Sequence, residues 1–188
     1  MDFFTGYYTD VEPEAALVVE AEGKVAGYLL GCTDAALHRR YQLRLLARAL
    51  LPVCHGFCRG IYGPPAFRFF RWLFWRGWRE MPGVPAGGAH FHFNILKRWR
   101  DAAVTRLLVE SYLELLRREH PGIKVVWGQM ETFGARRSQS LFKRLGWEFY
   151  DQVKLSKYRY LFNSPPPEHL KKLAAGEVYL TTIYRELW

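Results

Sequence analysis

Hydrophobic and polar positions change period several times along this chain, and each change predicts an element. Residues 15–32, AALVVEAEGKVAGYLLGC, predict two strands joined by a tight turn at Glu22-Gly23. Residues 35–51, AALHRRYQLRLLARALL, predict a helix closed by Pro52. A glycine- and proline-punctuated connection, PVCHGFCRGIYGPP, follows, then a second helix over 66–81 ended by PGVPAGG. The strand AHFHFNIL runs at once into a long amphipathic helix, which Pro121-Gly122 stops. Beyond it come a buried strand (122–131), a short helix (136–147) with Gly146 as its stop, and a strand (148–162). A helix entered through SPPP and left at Gly176 precedes the last strand, 177–188. The order β-β-α-α-β-α-β-α-β-α-β predicts an α/β (α+β) fold, a mixed sheet with helices on its faces.

The 66–81 helix has two readings. Arg68, Arg71, Arg76 and Arg79 share one stripe, Phe69, Phe70, Leu73 and Phe74 lie opposite, and Trp72 and Trp75 fall among the arginines. Such a helix either caps the core with stacked Arg–Trp pairs or offers a surface to anionic lipid or an acyl chain, a peripheral membrane contact.

Composition narrows the class. A chain of 188 residues, 49% hydrophobic and 16% aromatic, is long enough for one packed domain (1–188) and is not the composition of a disordered segment. No run of ~18 apolar residues predicts a spanning helix. The start, MDFFTGYYTDVEPE, lacks the basic-then-apolar order of a signal peptide. Three cysteines, Cys32, Cys54 and Cys58, make no disulfide framework and suit a reducing, cytoplasmic setting. CHGFC (54–58) lacks a second ligand pair, so no metal is expected, and Cys32 reads as core.

Charge is concentrated. Residues 36–87 hold nine arginines and one acid, Glu80, for a net +8, which leaves +1 of the total +9 for the rest of the chain. This basic aromatic segment reads as a helical insertion suited to an anionic partner. Nucleic acid is the less suited one, because the arginines sit in an apolar helix without a recognised nucleic-acid motif.

The corner between the AHFHFNIL strand and its helix concentrates candidate chemistry. A helix starting near Asp101 would aim the amides of Ala102, Ala103, Val104 and Thr105 at one spot, with Lys97, Arg98 and Arg100 beside them. Arginine forks suit a diphosphate. Plain solvated surface is the alternative reading.

With these segments in view, the chain resembles the GNAT (Gcn5-related N-acetyltransferase) superfamily over nearly its full length. AHFHFNILKRWRDAAVTRLL is similar to the family's strand, (R/Q)-x-x-G-x-(G/A) turn and helix, and SLFKRLGWEFYD to its later A-x-x-L-Y-x-K-L-G-F signature. GYLLG with AHFHFNIL is further similar to the subgroup resembling the acetyltransferase-like domain of O-GlcNAcases. The resemblance implies a mostly antiparallel central sheet, with the family's first strand and helices missing before the hairpin. It implies acetyl-CoA as cofactor, its diphosphate on Arg100-Asp101-Ala102-Ala103-Val104-Thr105 with Arg98 nearby, and pantetheine along Asn94, Ile95 and Leu96. A substrate amine, of a small molecule or peptide, would attack the thioester directly. A backbone N–H near Ile95 or Leu96 would stabilise the oxyanion.

The departures from the family are as specific as the likeness. Ala103 and Thr105, and Asp101 as well, replace glycines, and Asp101 is also a candidate helix cap. Phe142 stands where a tyrosine often protonates the thiolate, Ala135 where an asparagine often contacts the cofactor, and Ala89 where a glutamate base often sits. Replacement bases are His90 and His92, on one strand face, and Glu131; Tyr150 is a replacement acid. A chain that kept the fold and lost the catalysis is the alternative. A homodimer partner is one way to wall the acceptor site.

Overall fold

The computed structural model describes residues 5–133, 143, 145–158 and 178–188. The elements are α1 (Gly6–Asp10), β1 (Ala16–Ala21), β2 (Lys24–Cys32), α2 (Ala35–Cys58), α3 (Pro64–Trp75), β3 (Ala89–Ile95), α4 (Ala102–Glu119), β4 (Val125–Phe133), β5 (Glu148–Lys154) and β6 (Val178–Glu186). The strands form one mixed, mostly antiparallel sheet in the order β1-β2-β3-β4-β6-β5. β1 with β2, β2 with β3 and β5 with β6 pair antiparallel, and β3 with β4 pairs parallel. The predicted helices over 136–147 and 165–176, with Ala135 and Phe142, lie outside the described residues, except for Lys143 and the Gly146 turn.

The hairpin forms as its sequence predicts. Glu22 (φ 53°) and Gly23 (φ 70°) both adopt positive φ, the turn whose twist matches that of the flanking strands. Three other predictions are corrected. Helix α2 does not stop at Pro52 but runs through it to Cys58. A proline removes one backbone bond, and the intact turns on either side carry the helix past it. The second helix ends at Trp75, and a 3₁₀ turn, Gly77–Glu80, completes the segment. The stretch before the hairpin is not bare, because it holds α1 and a 3₁₀ turn at Pro13–Ala15.

The described residues fall into two compact units. One is drawn from Met1–Ala47, Pro85–Gly128 and Arg185–Trp188, the other from Arg48–Val84 and Gln129–Tyr184.

The first unit is built on the buried stripe of α4, Leu108, Val109, Tyr112, Leu113 and Leu116, which falls at helical spacing. Tyr112 is fully buried, and its hydroxyl donates to the carbonyls of Cys32 (3.3 Å) and His90 (3.1 Å). The ring lies where a side chain on residue 31 would be, so glycine is required at that place in β2.

The second unit is organised by the acid that its basic sequence isolates. Glu80 is buried and accepts from Trp72 Nε1 (3.1 Å), the Ser156 amide (2.6 Å) and the Ser156 hydroxyl. Trp72, which periodicity places among the arginines, is therefore the buried residue of α3. Phe74 and Trp75 are instead exposed, so this helix does not simply lay its phenylalanine face on a core.

Candidate functional site

The corner after β3 is built by three short devices. Residues Lys97–Trp99 make a 3₁₀ turn, Arg100 is extended, and Asp101 caps α4. The Asp101 carboxylate accepts from the amides of Ala103 (2.6 Å) and Val104 (3.0 Å), and the Thr105 hydroxyl donates to the Asp101 carbonyl (2.8 Å). Two of the four amides expected to face a phosphate are thus already satisfied by the chain's own carboxylate. Arg98 pairs with Glu22 (3.1 Å), both side chains well exposed, and its guanidinium lies over the Trp99 ring. Arg100 donates through Nε and Nη2 to the Ile95 carbonyl (3.3 and 3.1 Å).

The β3 backbone sorts the remaining groups. The antiparallel register with β2 sets Asn94 opposite Tyr28 and His92 opposite Leu30, and the Leu96 N–H donates to the Ala26 carbonyl (2.9 Å). Antiparallel pairs alternate, so the main-chain groups of Phe93 and Ile95 point away from β2. On that side the pairing with β4 is confined to Ala89↔Val126 and His90↔Trp127. Of the two expected oxyanion donors, Leu96 is thus engaged within the sheet, and the Ile95 N–H is the one that points away from β2.

His90 and His92 share a face of β3 as expected, but their surroundings differ. His92 is exposed, whereas His90 is buried under Tyr8 of α1 and His38 of α2 and stacked on Trp127 at 4.7 Å. Its Nε2 is 3.3 Å from the Tyr8 hydroxyl, and its Nδ1 has no hydrogen-bond partner among the described residues. Burial, followed by the nearby His38 ring, lowers its pKa to about 3. Burial and a lowered pKa make His90 a weaker candidate base than the exposed His92.

The same burial makes stability pH-dependent. His90 binds its proton less readily folded than unfolded, so its contribution is complete above the unfolded value near 6.5 and is lost as pH falls from there toward 3. Each pH unit in that window removes about 1.4 kcal/mol, or about 2 kcal/mol between pH 6.5 and 5. Urea denaturation at the two pH values measures it. In a His90→Gln variant, this part of the acid loss should disappear.

The other two candidates lie in the second unit. Glu131 accepts from both Lys157 and Tyr158, and burial with this carboxylate raises the Tyr158 pKa. Its carboxylate is held by a cation and a phenol, which reduces its reach as a base. Tyr150 is about half exposed and meets Tyr184 edge-on at 5.8 Å. Sequence reasoning missed Tyr8, Glu12, His38 and Cys32 as company for His90. The available signal was the hairpin itself, which sets Cys32 at the end of the strand paired with His90.

No family model matches the chain, and no curated protein matches it. Among solved structures it is similar to SsHAT, at 21% identity and TM-score 0.50, covering 98% of this chain and 78% of that one. It is also similar to Naa20 of Chaetomium thermophilum, a structure solved in complex with a bisubstrate analogue, at 15% identity and TM-score 0.53, covering 98% and 71%. The finer resemblance to the O-GlcNAcase subgroup gains no support from these likenesses. With the mixed six-stranded sheet, the hairpin and the early end of the β3–β4 ladder, they establish that this chain has the GNAT acetyltransferase fold.

Proposed function

We propose that the chain is an acetyl-CoA-dependent N-acyltransferase that acetylates an amine of a small molecule or peptide. The observation that carries this reading is β3 itself. Its ladder to β4 stops at His90 while the strand continues to Ile95, so the main-chain groups of Phe93 and the Ile95 N–H, which point away from β2, are the ones an extended amide-bearing cofactor arm would pair with.

Acetyl-CoA supplies an activated acetyl group as a thioester. The cations present fit its diphosphate, because Lys97, Arg98 and Arg100 are close in sequence at the corner and the Arg98 ion pair is exposed. The amides of Ala103 and Val104 fit it when the exposed Asp101 side chain rotates away. In the reaction the amine nitrogen bonds to the acetyl carbon, the C–S bond breaks, and the proton lost by nitrogen ends on the departing sulfur. His92, the exposed histidine of the pair, is the proposed base, and the Ile95 N–H the proposed oxyanion donor.

Asp101 also favours a second reading, in which the same fold binds the cofactor weakly and turns over little. Titration calorimetry with acetyl-CoA, followed by assay against an amine panel, separates the two. Asp101→Ala should tighten binding about tenfold by freeing two amides, while lowering helix stability by about 1 kcal/mol. Arg100→Ala should weaken it. Binding without turnover favours the second reading, and no binding by either protein at millimolar cofactor would sink both.

A further inference from the structure

Outside the corner, the most chemically loaded spot in the first unit is the group around His90. Cys32 ends β2, His38 lies in the first turns of α2, and His90 sits directly across the ladder from Cys32. The Cys32 sulfur and a ring nitrogen of each histidine all lie within 4.8 Å of one another. Each is fixed by a separate rigid device: the register places Cys32 and His90, and Asp34 caps α2 through the amides of Ala36 and Leu37 at 2.9 Å each.

We propose that Cys32, His38 and His90 form a binding site for a single transition-metal cation, with zinc favoured by the donor set and water completing the fourth position. One thiolate and two imidazoles are borderline-soft donors that suit zinc over calcium or magnesium. Zinc bonds of about 2.0–2.3 Å at tetrahedral angles hold donors about 3.5 Å apart, so a pair at the 4.8 Å limit has to close by about 1.3 Å. His38 is half-buried on a helix and can make that movement by ring rotation.

Two independent observations point to a ligand here. The first is the His90 Nδ1, a buried ring nitrogen without a partner among the described residues, which is a feature folded proteins seldom leave unexplained. The second is charge. Glu12 is buried and held by the Tyr7 hydroxyl (2.8 Å) and by the Thr33 and Asp34 amides (2.7 and 3.2 Å), and its charge acts on both Cys32 and His38. One thiolate and one such carboxylate neutralise a dication without a further counter-ion. Nearby rings of Tyr7, Tyr8 and Trp127 fix the histidines from the side. The site is independent of the acetyltransferase reading, because none of its three ligands belongs to the corner or the proposed base.

Cobalt(II) tests it, because a cobalt–thiolate bond gives a charge-transfer band in the near ultraviolet that requires a bound cysteine. The full chain should carry Cys54→Ser and Cys58→Ser, which removes the two exposed thiols beside His55. After chelator treatment this protein should take up one equivalent of cobalt with the band, and zinc should displace it. Cys32→Ser should abolish the band. His38→Ala, at a half-buried helix position, should keep the apoprotein's circular dichroism and weaken cobalt binding by more than the ~10-fold typical of a lost outer partner. Absence of the band at millimolar cobalt, or an undiminished band in His38→Ala, would overturn the assignment.

Discussion

Gly31→Ala should destabilise the protein by about 3 kcal/mol, near the upper end of what overpacking one methyl costs in a core. A Cβ built on Gly31 lies 2.2 Å from Cε2 and 2.6 Å from Cζ of Tyr112. Those are ring atoms, and the ring has nowhere easy to go. Tyr112 is fully buried, and its hydroxyl is tied to the Cys32 and His90 carbonyls on two adjacent strands. Any retreat breaks those bonds and drags on the ladder that positions His90. Urea denaturation gives the loss, and a change under about 1 kcal/mol would show that the ring yields after all. Combining Gly31→Ala with Tyr112→Leu should be less harmful than the sum of the two single changes, because the leucine vacates the contested space.

Glu80→Ala should lower stability by about 3–4 kcal/mol, for a different reason. No steric clash is created. Instead the Trp72 indole N–H loses its carboxylate, keeping only the Ser156 hydroxyl at 3.2 Å, and the Ser156 amide loses an acceptor at 2.6 Å. Glu80→Gln keeps one acceptor oxygen of similar shape and should recover about half of the loss. Denaturation followed by circular dichroism distinguishes them, and equal effects of Gln and Ala would mean that the hydrogen bonds are not the cause.

Glu80 also shows where sequence reading stopped. The sequence shows it only as the one acid among nine arginines, whereas in the fold it is buried and spent on an indole and a serine. Periodicity sorts residues by face but does not see partners 70 or more residues away, so it could not place Trp72 inward through Ser156. The same limit applies at His90. Alternation correctly put His90 and His92 on one face, but only the packing of Tyr8 and His38 over one of them separates a buried ring from an exposed one.

What was legible was local. The Glu22-Gly23 turn, the strand-to-helix corner and the Asp101 cap each rest on a few adjacent residues whose backbone preferences agree. The stop at Pro52 failed because a proline penalty is local too, and 24 residues of helix outweigh it. The six strands came through in order because each is bounded by its own breakers, whereas their pairing, with β6 between β4 and β5, is set by long-range contacts.

If the corner holds the cofactor's diphosphate as proposed, the Asp101 cap makes it selective in a way a glycine turn is not. Its carboxylate is a tethered competitor, present at a fixed effective concentration whatever the solution holds. A small monoanion offers the α4 amides nothing that Asp101 does not already give, so exchange gains it little. An anion with several charged centres can displace the carboxylate and engage Lys97, Arg98 and Arg100 together. The Arg98–Glu22 pair it would break is exposed and worth about 1 kcal/mol or less. On the proposed reading, the corner would discriminate by valence, favouring polyanions over abundant small anions.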